Sequence, residues 1–150
     1  MKVLLDTNII IDIFARREAF YKNSYKVLQL GLEGIIETIM SAGAIKDVFY
    51  ILKKYIPDAN EVREKIFLIS NYIKICNTTP EDITSAVILF MPDFEDALIA
   101  AAARREKADY IITRNEKDFK NSPIPAITPE DLLEILSRQD AETQSYSPKS

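Results

Sequence analysis

Short apolar runs alternate along this chain with longer segments in which apolar residues recur at helical spacing. The short runs are rich in β-branched residues and predict buried strands. These strands are expected at residues 3–5, 35–40, 73–76, 109–113 and 126–127. Because strands and helices alternate, the pattern predicts a parallel sheet covered by helices on both faces.

The segments between the predicted strands contain the start and stop signals of helices. Thr79 and Thr128 each open the sequence Thr-Pro-Glu-Asp, which predicts a capping box with proline at the first helical position. Asp93 is expected to cap an alanine-rich helix. Helices are therefore predicted over residues 9–14, 20–33, 41–54, 58–72, 79–90, 93–108 and 128–136, with Thr7 and Asn8 capping the first.

The chain has 150 residues, which suits one domain of ordinary size. We assign the domain to residues 1–136. Residues 137–150 contain one large apolar side chain, Tyr146, and are expected to form a flexible C-terminal tail.

The amino-acid composition excludes several types of catalytic and metal-binding site. The chain has no His and one Cys, Cys76, so His-dependent triads, cysteine metal cages and an internal disulfide are excluded. The three glycines, Gly31, Gly34 and Gly43, do not have the spacing of a dinucleotide-binding or Walker A loop. We expect a cytoplasmic protein without a signal peptide or membrane span, because no uncharged apolar run approaches roughly 18 residues. The net charge of −4 disfavours holding nucleic acid by charge alone, but not a nuclease that uses a bound cation.

Acidic and amide side chains follow the predicted strands, where ligands gather in open parallel sheets. Asp6 follows the first strand, and Asp47 and Asp96 lie near the start of two helices. Asn115 and Asp118 follow the fourth strand. Oxygen ligands of this kind favour Mg²⁺ or Mn²⁺. Each residue also has a structural explanation, because Asp6 can cap a helix, Asp47 can be a solvated side chain, and Asp96 can form a capping pair.

Four segments taken in order resemble the PIN-domain family. They are DTNIIID from residue 6, SAGAIKDVFYIL from residue 41, DFEDALIAAAA from residue 93, and DYIITRNEKDF from residue 109, which IPAITPEDLL follows. The resemblance covers about residues 1–136. It implies a three-layer α/β/α sandwich with a mainly parallel central sheet. It also implies a divalent-metal-dependent endoribonuclease, most often the toxin of a type II toxin–antitoxin pair, with an antitoxin encoded nearby and a homodimeric assembly.

The resemblance also assigns roles to single residues. The family's first and third acids fall on Asp6 and Asp96, and its hydroxyl at the strand end falls on Thr113. The second acid, usually Glu, falls on Asp47, which is one methylene shorter. The fourth acid, usually Asp, falls on the neutral Asn115.

Because Asn115 is neutral, another acidic residue is expected to supply the charge of the family's fourth acid. Asp118 reaches the same pocket if residues 115–118 form a helical turn, since residues three apart share a helix face. We therefore expect Asp6, Asp47, Asp96 and Asp118 to hold the metal. Arg114 and Lys117 lie near the same sheet edge and are expected to contact the RNA backbone.

Two other hypotheses remain open. A different α/β phosphoryl-transfer enzyme is less well supported, because the segment DTNII lacks the second Asp of a dehalogenase-like phosphatase and the paired acids of a receiver domain are not evident. A catalytically degenerate PIN-like scaffold or regulatory module is the second. Mn²⁺ binding separates an active site from a scaffold.

Overall fold

A five-stranded parallel sheet forms the centre of the protein in a computed structural model that describes residues 1–146. The strand order is β3-β2-β1-β4-β5, and each neighbouring pair is parallel. The strands are β1 (Lys2–Leu5), β2 (Glu37–Ser41), β3 (Lys74–Cys76), β4 (Tyr110–Ile112) and β5 (Ala126–Ile127). The predicted parallel sheet is therefore confirmed.

Seven α-helices and two short 3-10 turns connect the strands of the described residues. The helices are α1 (Thr7–Phe14), α2 (Glu18–Leu32), α3 (Ile45–Tyr55), α4 (Ala59–Tyr72), α5 (Pro80–Leu89), α6 (Phe94–Arg105) and α7 (Pro129–Ser145). The 3-10 turns span Ala42–Ala44 and Glu116–Phe119. Thr79 and Thr128 form the predicted capping boxes. Over residues 1–146, no helix combines the length and the apolar sequence needed to cross a membrane.

Successive residues of β1 face opposite sides of the sheet, so the sheet is buried on both faces. Val3 and Leu5 belong to one apolar cluster with residues of α1 to α4 and α7. Leu4 belongs to a second cluster with the buried alanines of α6. Small alanine side chains let this helix approach the sheet closely. The two clusters are the two interfaces of a three-layer α/β/α sandwich.

The strand order reverses at β1. The chain moves from β1 outward to β2 and β3, and then returns to the other side of β1 to form β4 and β5. In open parallel sheets, ligands bind beyond the carboxyl ends of the strands at such a reversal. The residues that follow β1 and β4 are therefore the first candidates for a functional site.

Two helix starts differ from the sequence prediction. Asp6, rather than Thr7 or Asn8, is the N-cap of α1, and its side chain accepts a hydrogen bond from the Thr7 backbone N–H. Ser41 caps the 3-10 turn, so the α-helix starts only at Ile45. Asp47 consequently lies in the first turn of α3, at the wall of the cleft described below.

The C-terminal segment also differs from the prediction of a loose tail. Helix α7 continues to Ser145, although every described side chain after Leu136 is exposed. Residues of good helix propensity and an Arg138–Glu134 ion pair between successive turns favour this extension. The predicted tail's last four residues, 147–150, lie outside the described residues.

We propose that residues 1–136 are the folding unit, because burial ends there. Deleting residues 139–150 is expected to leave the melting temperature within a few degrees of the full chain, since every side chain in the described part of this segment, residues 139–146, is exposed. Thermal unfolding followed by circular dichroism tests this. A much larger drop would mean that the end of α7 packs on the domain.

Candidate functional site

A cleft of about 480 Å³ opens at the carboxyl edge of the sheet. Side chains that follow β1, β2, β3 and β4 all contribute to its wall. The lining includes all five of the carboxylate and amide residues predicted from the sequence: Asp6, Asp47, Asp96, Asn115 and Asp118. The fold therefore brings together residues that are separated by as much as 112 positions in the chain.

Asp6 is held in place on both carboxylate oxygens. Its Oδ1 accepts from the Thr7 backbone N–H at 2.8 Å, and its Oδ2 accepts from the Thr113 hydroxyl at 2.8 Å. Only 6% of Asp6 is exposed. This burial raises the pKa of its carboxyl, although the two hydrogen bonds oppose the shift. The structure thus fixes the position of one acidic group at the floor of the cleft.

Thr113 supports Asp6 and does not line the cleft. The side chain is fully buried, and its hydroxyl accepts from the Asn8 side-chain amide at 3.3 Å and from the Asn115 backbone N–H at 3.1 Å. Because these two donors occupy the oxygen, the hydroxyl proton is directed to Asp6. Thr113 is therefore a positioning residue, which holds Asp6 and does not face the cleft.

Asp96 lies half-buried in the first turn of α6, where its backbone N–H donates to the Asp93 side chain at 3.0 Å. The predicted capping pair is confirmed, and it leaves the Asp96 carboxylate free to face the cleft. Burial, followed by repulsion from Asp6, Asp93, Asp118 and Glu95, raises the pKa of Asp96 to about 7. Crowded carboxylates of this kind are typical of functional sites.

Asp118 adds a further negative charge near Asp6 and Asp96, and it contributes to the raised pKa of both. The Asp118 backbone N–H donates to the Asn115 carbonyl at 3.0 Å, so residues 115–118 form the predicted helical turn. Asn115 is exposed and lines the same cleft. Asp118 is therefore placed to supply part of the charge that Asn115 lacks.

The donors suit a hard divalent cation by their chemistry, since all of them are oxygens and their mutual repulsion raises the pKa of Asp96. No three of the acidic or thiol side chains within residues 1–146 are arranged so that they could hold one metal ion. Asp47, at the far wall of the cleft on α3, is partly exposed. The oxygen donors thus fit a divalent cation by their chemistry, but the acidic side chains of the described residues do not lie close enough together to form a complete set of ligands.

The two cations predicted to contact RNA do not line the cleft. Arg114 donates from Nε to the buried Asp12 carboxylate at 2.6 Å, and its guanidinium lies 4.1 Å from the centre of the Phe20 ring. Lys117 lines a separate shallow depression beside Lys120. Arg114 therefore has a structural partner that the sequence analysis did not identify.

Two other cations line the cleft instead, and the sequence analysis missed them. They are Arg17, just before α2, and Lys54, in the last turn of α3. The spacing of Asp47, Tyr50 and Lys54 was the available signal, because residues separated by three and four positions share one face of a helix.

Comparison with known proteins supplies the wider context for this cleft. The sequence model of the PIN-domain family matches residues 2–117. Ribonuclease VapC1 of Aquifex aeolicus is 28% identical over 138 residues, which are 89% of this chain and 94% of that protein. A toxin–antitoxin complex from Klebsiella pneumoniae contains a chain with 27% identity and a TM-score of 0.66, over 85% of this chain and 97% of that one. A chain of VapBC2 from Rickettsia felis, solved with a fragment of promoter DNA, is 19% identical and has a TM-score of 0.68, over 85% of this chain and 98% of that one. At this identity the similarity concerns the fold alone.

Proposed function

This chain belongs to the PIN-domain family, and from that premise we propose that it is a divalent-metal-dependent endoribonuclease that acts as the toxin of a type II toxin–antitoxin pair. The observation that carries the proposal is the crowding of carboxylates around Asp96, whose pKa rises to about 7 at the carboxyl edge of the sheet. The relative named as a ribonuclease supports RNA as the substrate.

Family membership implies a divalent metal, and the hard oxygen donors favour Mg²⁺ or Mn²⁺. Asp6, Asp47, Asp96 and Asp118 are the proposed ligands, and they would have to move closer together than they lie in the structure to hold one ion. When bound, such a cation lowers the pKa of water toward neutrality and offsets negative charge at the phosphate.

The protein's own groups would perform the remaining work. Hydrogen bonds from the Thr7 backbone N–H and the Thr113 hydroxyl hold the Asp6 carboxylate in one position. The pKa of Asp96 is raised to about 7, so the charge of this carboxyl changes near neutral pH. The chain has no His, and we assign the proton of the attacking water to a carboxylate of the cleft.

The partners implied by the resemblance are an antitoxin protein and a second copy of this chain. Similarity to a toxin–antitoxin complex supports the first. For the second, Ile83 and Val87 of α5 and its C-cap residue Phe90 form an exposed apolar strip, with exposed fractions of 52%, 61% and 83%. Apolar strips of this kind mark interfaces. Light scattering should give twice the chain mass of 17.1 kDa, and a monomer would contradict the dimer.

Metal removal tests the proposed activity. The wild-type protein should cleave single-stranded RNA with Mg²⁺ or Mn²⁺, lose cleavage in EDTA, and recover when the cation is restored. In a calorimetric titration with Mn²⁺, Asp118→Ala should need more metal than wild type, because one anionic ligand is lost. A degenerate scaffold would show no cleavage under any of these conditions, and cleavage that depends on the cation excludes it.

A further inference from the structure

We infer that α3 carries a nucleotide-binding strip, formed by Tyr50 and Lys54, which stacks on a base and holds a phosphate of the RNA strand beside the acidic groups of the cleft. The inference rests on the proposed function, since it names how the same cleft would hold its substrate. Both side chains line the cleft together with Asp47. They follow Asp47 on one face of α3, at spacings of three and seven residues.

Tyr50 is suited to stacking because its ring is both exposed and oriented. The exposed fraction is 58%, although the side chain lies at the wall of a cleft. The Phe49 ring, which packs on the apolar core, meets the Tyr50 ring edge-on at 90° with centroids 5.5 Å apart. This contact limits the rotation of Tyr50 and leaves the rest of its surface open. A base can stack on such a platform whatever its identity.

Lys54 provides the charge that an RNA strand needs in this cleft. Five acidic side chains line the cleft and repel phosphate, and Arg17 is the other cation in the lining. Arg17 is already 3.6 Å from the Asp12 carboxylate and lies over the rings of Phe20 and Tyr55. Lys54, in contrast, has no ion pair with any residue in the described part of the chain. Its ammonium group is therefore available for a phosphate.

The combination favours RNA over a protein ligand. An aromatic ring and a cation one helical turn apart match the repeating unit of a single strand, in which each base accompanies one phosphate. The strip lies next to Asp47 on the same helix face, so an RNA strand that lies on it leads directly to the proposed metal ligands.

Binding of a fluorescent single-stranded RNA of mixed sequence tests the strip. Fluorescence anisotropy is measured in the Asp96→Asn background with Mg²⁺, where cleavage is suppressed. Tyr50→Ala should weaken binding about 10-fold, and Tyr50→Phe should restore most of it because the ring remains. The matched control is Tyr72→Ala, which removes a ring of 43% exposure from a depression lined by Met1 and Lys2 at the opposite end of β1.

The salt dependence of RNA binding measures the contribution of the Lys54 charge separately from that of the Tyr50 ring. Lys54→Gln should reduce the slope of log affinity against log salt by about 0.7, the value for one phosphate contact on a single strand. Lys53→Gln removes the same charge from the neighbouring position, which lies outside the cleft lining, and should leave the slope unchanged. In otherwise wild-type protein, Tyr50→Ala and Lys54→Gln should raise KM for RNA more than they lower kcat.

The outcomes separate the strip from the activity. If wild type cleaves RNA but both variants bind and cleave like their controls, the strip is wrong and the proposed function stands. If wild type does not cleave, the proposed function fails, while a loss of RNA affinity confined to Tyr50→Ala and Lys54→Gln still supports the strip. Unchanged RNA affinity together with weakened binding of an inhibitory protein would make this a protein-binding surface and overturn the inference.

Discussion

Asp96→Asn is expected to lower RNA cleavage at least ~100-fold, the loss typical when a hydrolytic metal site is deprived of a principal ligand. The substitution removes one charge and preserves the shape of the side chain. The cap of α6 should survive, because it depends on the Asp93 side chain and the backbone N–H of residue 96. Initial rates of RNA cleavage under saturating Mg²⁺ measure the effect.

The same substitution should raise the stability of the metal-free protein. The pKa of Asp96 rises from its ordinary value of 3.8 to about 7 on folding, so between these pH values the folded state retains a proton that the unfolded state releases. Stability is therefore lost as pH rises through this window. An amide side chain at this position cannot ionise, so Asp96→Asn should melt at a higher temperature than wild type at pH 8 in EDTA.

Asp93→Asn is the matched control, since it makes the same change three residues earlier on the same helix. Asn is as good an N-cap as Asp, and Asp93 does not line the cleft, so cleavage should remain near the wild-type rate. Wild-type cleavage by Asp96→Asn would refute the assignment of Asp96. Equal losses in both variants would point to the helix start rather than to a metal ligand.

The parts of the fold that local signals encode could be predicted from the sequence. The run before Asp6 is apolar, the run before Arg114 is apolar and rich in β-branched residues, and both form strands. Thr79 and Thr128 each precede Pro and an acid at the third helical position, and both form capping boxes. These features depend on residues within a few positions of one another, so the sequence alone contains the required information.

Side-chain direction could not be predicted in the same way. Whether Arg114 faces RNA or Asp12 depends on how α1 packs beside β4, and neither segment specifies that by itself. The gathering of Asp6, Asp96 and Asp118 followed from the general rule for parallel sheets. The presence of Lys54 in the cleft did not, because it also depends on the tilt of α3. The extension of α7 to Ser145 could not be predicted from burial, because the segment after Leu136 has only one large apolar side chain and its helix depends on helix propensity instead.

Arg114→Ala is expected to lower the free energy of unfolding by about 3 kcal/mol, the cost of breaking a buried ion pair from one side. Asp12 is completely buried, and Arg114 is its nearest cation at 2.6 Å. The remaining cation, Arg17, is 3.6 Å away, and Asp12 Oδ1 has no hydrogen-bond partner among the described residues. Without Arg114, the Asp12 carboxylate would therefore lose its main compensation.

The loss of stability in Arg114→Ala should also depend on pH. Burial already raises the pKa of Asp12 in the wild type, and loss of the Arg114 partner should raise it further. The variant's deficit should therefore be smaller in acid, where Asp12 is neutral, and should grow as pH rises through the folded-state pKa. Urea unfolding of wild type and variant at several pH values measures this trend.

Two further variants identify the cause. Asp12→Asn combined with Arg114→Ala should recover part of the lost stability, because no uncompensated carboxylate remains in the core. Lys117→Ala removes an exposed cation three residues from Arg114 and should change stability by no more than about 0.5 kcal/mol. If Arg114→Ala is as stable as wild type and binds RNA less tightly, Arg114 contacts the substrate as its position after β4 first suggested, and the ion pair with Asp12 contributes little to the fold.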